Sequence, residues 1–158
     1  MPSKVSDYVT FGEAIKSQTA ERLGIDNYPD IETFSRMRNV ATNIFDPVRK
    51  FIGGPLGVSS FYRSIDLNIA IGGSATSQHI KGEAIDIDCD MFSVSTNKNV
   101  FDFIRAELEF DQLIWEFGTN ENPAWVHVSL SFNAKNRRQV LRAYRCNKKT
   151  KYEKFALY

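Results

Sequence analysis

The chain has 158 residues, of which 42% are hydrophobic and 13% aromatic, and a formal net charge of +1. That is enough for a single domain, 1–158, with its own core, and the composition excludes a disordered or collagen-like polymer. Two cysteines are too few for a disulfide framework, and no run of about 18 apolar residues is present to form a membrane-spanning helix.

The N-terminal segment Met1-Pro2-Ser3-Lys4-Val5-Ser6-Asp7 lacks the apolar stretch of a secretory leader, so the chain is expected to be made in a cytoplasm without a signal peptide. The first 30 residues mix turn formers with short helical stretches and end at Asp26-Asn27-Tyr28-Pro29-Asp30. From there Phe34, Met37, Ala41, Ile44, Val48 and Phe51 recur at steps of three and four, which predicts a helix with one buried face. Pro47 predicts a kink or break just before it, and Gly53-Gly54-Pro55 the end of the element. Leu56–Arg63 reads as a strand, Ser64–Ala70 as a short helix opened by a serine cap, and Ile71–Thr76 as a loop. Ala84–Cys89 alternates as a half-buried strand. A second amphipathic helix is expected over about 97–109, followed by strands 112–117 and 125–132 joined as a hairpin. Gln139–Arg145 is expected to be a last strand. The order predicts an α+β fold, a small antiparallel sheet with helices packed on it, with a core over about 31–145.

Both histidines of the chain, His79 and His127, fall in short patterned segments. His79 and Asp86 are seven residues apart, with Gly82 between them to permit a tight reversal. In Trp125-Val126-His127-Val128-Ser129 the period of two fixes the face on which His127 stands. Two imidazoles and one carboxylate are the donor set of a hydrolytic Zn²⁺ ion that keeps one coordination position open. His79, Asp86 and His127 are therefore the expected ligands of one zinc ion. Cys89 is expected to pack as a small core residue, since no second cysteine lies at a metal-binding spacing.

The pattern Ser77-x-His79-x-x-Gly82-x-Ala84-x-Asp86, followed about forty residues later by Trp125-x-His127-x-Ser129, resembles the zinc D-alanyl-D-alanine carboxypeptidase family. That family includes peptidoglycan peptidases of bacteria and of phage endolysins. The resemblance covers roughly 57–131, including Tyr62-Arg63-Ser64 and the run 112–117. It implies a hedgehog/D-Ala-D-Ala-peptidase-like fold, one catalytic zinc on the same three ligands, and cleavage of peptidoglycan stem peptides at or near D-alanine. It also implies a carboxylate-binding or oxyanion-holding role for Arg63, for which a guanidinium is suited.

In many relatives an acidic residue stands three positions before the last histidine, and here that position is Ala124. Hydrolysis needs a carboxylate to take the proton of the attacking water and return it to the leaving amine. Glu116 is the expected base, because its strand should pair with that of His127; Glu121, in the connecting loop, is the second choice. Ser77 and Gln78 are expected to contact substrate. Asp88 should share the face of Asp86, and Trp115 and Trp125 should be core or groove wall.

Charge is unevenly spread. The end 135–158 has nine Lys/Arg against one acid, and the remaining 134 residues have 11 bases against 18 acids. The basic end could dwell on anionic cell-wall polymers, with no nucleic-acid partner and a monomeric state expected. The missing leader fits an enzyme that reaches the host wall after release at lysis, or that is carried by a virion. The alternative is an inactive metal-containing wall-binding or virion structural module, motivated by Ala124.

Overall fold

In a computed structural model that describes residues 1–157, two short helices, α1 (Phe11–Ile15) and α2 (Gln18–Leu23), precede a long helical run. Asp30 starts that run by accepting from the Thr33 amide, one of the donors a helix start leaves unpaired. The run comprises α3 (Ile31–Val40), a π turn (Ala41–Phe45) and α4 (Asp46–Ile52), and Gly53 closes it with φ 72°. The expected break at Pro47 is thus a widened turn in which the Asp46 amide bonds the Ala41 carbonyl, five residues back. The extra residue in that turn relieves the clash of the proline ring with the preceding carbonyls. It also rotates α4 relative to α3. Phe34, Met37, Ala41, Ile44 and Val48 are buried as the spacing predicts, but Phe51 is 54% exposed and Phe45 takes a core position instead. Phe51 stacks on Phe103 with ring centroids 4.2 Å apart.

The sheet has six strands: β1 (Gly57–Ser60), β2 (Ala84–Asp88), β3 (Gln112–Glu116), β4 (Trp125–Ser129), β5 (Gln139–Cys146) and β6 (Lys149–Lys154). Their order is β1-β2-β4-β3-β5-β6. Every neighbouring pair is antiparallel except β3 and β5, which run parallel. The α+β architecture is as the sequence predicts. Three details differ. β1 stops at Ser60, because the Tyr62 amide leaves the sheet for Ala14 and the Arg63 amide bonds the His79 carbonyl. β6 extends the sheet beyond the expected last strand, after a turn in which Asn147 and Lys148 both have positive φ, as a two-residue hairpin requires. β2 is buried on both faces rather than half-buried, with Ala84 and Ile85 both at 0% exposure, because the loop bearing His79 roofs its second face.

The remaining helices are α5 (Ile65–Ala70), capped by Ser64 through the Leu67 amide, and α6 (Asn97–Glu107). Ile85, Ile87, Leu113, Trp115, Val126 and Val128 form one face of the sheet and pack with α3, the π turn and α6 into one core. Cys89 lies in that core, as expected. No helix among the described residues is long and apolar enough to cross a membrane.

Gly82 fixes how the His79 loop meets the helical layer. Its φ is +71°, and an added Cβ would lie 2.8 Å from Met37 Cγ and 2.9 Å from the Thr33 carbonyl. Left-handed strain and a clash with backbone add together here. Gly82→Ala is expected to destabilise the protein by about 2 kcal/mol or more, read as a lowered urea midpoint. An unchanged midpoint would show that the loop adapts.

Candidate metal centre

The second face of the sheet is where the polar residues of β2, β3 and β4 stand. The register aligns Asp86 on β2, His127 on β4 and Ile114 on β3 in one row. Glu116 is two residues along β3 from Ile114, so it stands diagonally across from His127, about 7–8 Å away between backbones. Period-two alternation puts all of these on one face while their neighbours enter the core.

His79 comes from the loop before β2. It is 2% exposed, and its Nδ1–H donates to the Phe61 carbonyl at 2.6 Å. That bond fixes the tautomer and aims the Nε2 lone pair at the Asp86 Oδ1, 3.3 Å away. His127 Nδ1 is 2.9 Å from the same oxygen. One ligand atom from each of the three residues falls within 4.8 Å of the others. Nε2 of His79 is buried without a hydrogen-bond partner. An imidazole lone pair facing a carboxylate oxygen is unfavourable unless a cation lies between them. The donor set therefore fits a divalent ion of the zinc type, with the Phe61 carbonyl as outer support for the ligand.

The electrostatics agree. Burial lowers the pKa of His79 and keeps it neutral, the form that ligates. Asp86 is held well below the usual carboxylate range: burial opposes its charge, and the bond with His127 favours it. Glu116 is only 8% exposed. Burial pushes it up to about 7, with His127 opposing and the Asp86 charge adding to the rise. Burial lowers Arg63, while Asp86 and Glu116 favour its charge, so its guanidinium faces the same cluster. Arg63 Nη1 donates to Asn68 Oδ1 at 3.4 Å, and its Nε is buried without a partner.

The other expected residues surround this cluster or fall outside it. Ser77 Oγ accepts from the His79 amide at 3.4 Å. Gln78 donates to Asp111 at 2.9 Å, and both line the groove. Glu121 is exposed on the β3–β4 loop and does not line the groove. Asp88 accepts from the Asp90 amide and from Asn97, so it caps the turn after β2. Trp125 is groove wall, and Trp115 is fully buried in the core with its indole N–H on the Thr119 carbonyl. Around the cluster runs an open groove of about 1490 Å³ whose rim includes Arg36, Lys81, Lys135 and Arg137. That exceeds the usual range for a small-molecule pocket and suits an extended chain.

Sequence reasoning missed Asp111. It accepts from the Arg137 amide, Nε and Nη2 as well as from Gln78, and so ties the segment after β4 to the Gln78 loop. Nothing in its sequence context marks it, since its partners lie 26 and 33 residues away. The bonds from Arg137 hold its pKa down. A depressed carboxylate contributes stability above its unfolded pKa, and that contribution is lost as pH falls through the folded value. Asp111→Asn should therefore cost about 1–3 kcal/mol at pH 7 and progressively less as pH falls below 4, in urea titrations at both ends. An equal cost at pH 7 and pH 2 would show that charge is not the cause.

A base-competent carboxylate, a cationic side chain and a His/Asp/His cluster in one peptide-sized groove are the parts of a metal-dependent hydrolase. No curated protein matches the chain. The sequence model of the family described as Peptidase M15 matches residues 7–129, which include His79, Asp86 and His127 and both Arg63 and Glu116. The chain thus belongs to the peptidase M15 family, a family of zinc metallopeptidases.

Proposed function

We propose that the protein is a zinc-dependent peptidase that hydrolyses bacterial peptidoglycan at or near D-alanine, as a carboxypeptidase or an endolysin-like endopeptidase. The observation that carries this reading is the orphaned His79 Nε2, aimed at Asp86 beside His127 in a member of a peptidase family. His79, Asp86 and His127 would hold one zinc ion. When bound, zinc supplies Lewis acidity to the scissile carbonyl and the attacking water.

Glu116 takes the proton of the attacking water at its carboxylate and returns it to the leaving amine. The Ala124 amide donates to the Glu116 carbonyl at 2.9 Å. Position 124 and Glu116 are therefore immediate neighbours across the hairpin. Glu116 itself lines the groove beside the cluster, which argues against the inactive module that Ala124 suggested. Arg63 holds the developing oxyanion or a terminal carboxylate of the substrate. Ser77 and Gln78 border the groove where the peptide lies.

The enzyme is read as a monomer that meets the wall after release at lysis or from a virion. Lys148, Lys149, Lys151 and Lys154 are exposed on the β5–β6 turn and strand β6, and they would hold it to anionic wall polymers. Arg137 and Arg138, by contrast, are engaged by Asp111 and by the Leu108 and Arg105 carbonyls. Sedimentation with purified walls should decline when those four lysines are neutralised at low salt and be insensitive to them at high salt. The direct test of the activity is incubation of zinc-loaded protein with purified peptidoglycan, with new amino groups and released fragments measured. A wall left intact sinks the peptidase proposal.

A further inference from the structure

The matched family segment ends at Ser129, and beyond it the chain adds β5 and β6 to the sheet edge next to β3. The register runs one row of side chains across four strands. Trp125 on β4 lies opposite Glu116, Glu116 opposite Ala143 on β5, and Ala143 opposite Tyr152 on β6. Side chains aligned this way share a face, and Trp125, Glu116 and Tyr152 all line the groove. Ala143 is fully buried and offers only a methyl group, so the Tyr152 ring has room to lean across it towards Glu116. Tyr152 itself is 55% exposed, so a ligand in the groove can reach its hydroxyl.

Resting on the peptidase reading, we propose that Tyr152 is a substrate-binding residue, its hydroxyl donating to a backbone carbonyl of the peptide as the chain crosses Glu116 between Tyr152 and Trp125. The hairpin of β5 and β6 is then the far wall of the peptide groove. An extended peptide presents a carbonyl acceptor at every residue, and a phenol with an apolar body and a polar tip suits such a wall. Partial burial, followed by the Glu116 and Asp86 charges, pushes the Tyr152 phenol upward, so it stays a donor throughout the neutral range.

The test compares wild type with Tyr152→Phe, Tyr152→Ala and the control Tyr144→Phe, which changes a tyrosine on the opposite face of the hairpin. Two readouts are needed: kcat and KM on purified muropeptides, and muropeptide binding by tryptophan fluorescence in a Glu116→Gln background that does not turn over. Loss of one neutral hydrogen bond predicts a rise of roughly 3–10-fold in KM and dissociation constant for Tyr152→Phe. The expected kcat change is less than about two-fold, the expected loss for Tyr152→Ala is larger, and Tyr144→Phe should behave as wild type. Should Tyr152→Ala fail to fold, Tyr152→Phe alone decides. Active wild type with Tyr152→Phe unchanged in KM and binding overturns the assignment, as does a fall confined to kcat. If wild type neither binds nor cleaves muropeptides, the peptidase reading fails first and the Tyr152 assignment falls with it.

Discussion

Treatment of the purified protein with a chelator is expected to abolish release of fragments from peptidoglycan, and stoichiometric zinc to restore it. The loss should exceed about a thousandfold, because the ion is asked to supply several kcal/mol of charge stabilisation in the transition state. A second readout is independent of turnover. The apo protein keeps an unpaired imidazole lone pair against the Asp86 carboxylate, and an ion bound there relieves it. Zinc at about a thousand times its dissociation constant contributes about 4 kcal/mol of stability by mass action. For a domain of this size that is a rise of roughly 10 °C in Tm. His79→Ala should lose both the rescue and the stabilisation, and Asp86→Ala should do the same. Full activity after exhaustive chelation, or a Tm blind to zinc in wild type, would remove the metal from the account.

Glu116→Gln is expected to lower kcat by roughly 10²–10⁴-fold while zinc still raises Tm as in wild type, since general acid–base catalysis is worth about that much. The amide keeps the shape but cannot accept the proton. In the metal-free protein burial pushes Glu116 up to about 7, and a divalent cation beside it would draw that value down. The acid limb of the kcat/KM profile should therefore fall below pH 7 and vanish in the variant. The same group makes a stability prediction with the opposite sense to Asp111. A carboxyl whose folded pKa is raised favours the folded state most when protonated, below its unfolded pKa of about 4.3. That benefit is lost as pH climbs through the folded value. Apo Glu116→Gln should thus be more stable than apo wild type at pH 8, by on the order of 2 kcal/mol, and nearly equal at pH 4. A variant that loses no activity would move the base elsewhere.

The two histidines and Asp86 were legible because the ligand donor set is small and the chain holds no other imidazole. Strand alternation then fixed the faces of Asp86 and His127, which the register confirms as direct neighbours. The face of the long helix follows the spacing as far as Val48, but Phe45 joins the core and Phe51 leaves it. The π turn shifts the period by one residue, and no pattern of apolar spacing announces an extra residue in a turn. Strand β6 was missed because Lys149–Lys154 is too polar to alternate, and its pairing is driven by a tight turn and by the edge that β5 offers.

Some of the chemistry is local and some is not. Residue type, spacing and period determine which side chains are able to bind a metal and which face of each strand they occupy, since these depend only on backbone geometry a few residues long. Tertiary structure alone decides that Phe61 orients His79, that Glu116 is buried enough to approach neutrality, and that Asp111 anchors Gln78. Burial and long-range hydrogen bonds depend on which segments meet. The parallel pairing of β3 with β5 is a fact of that kind, and it brings Tyr152 into the groove.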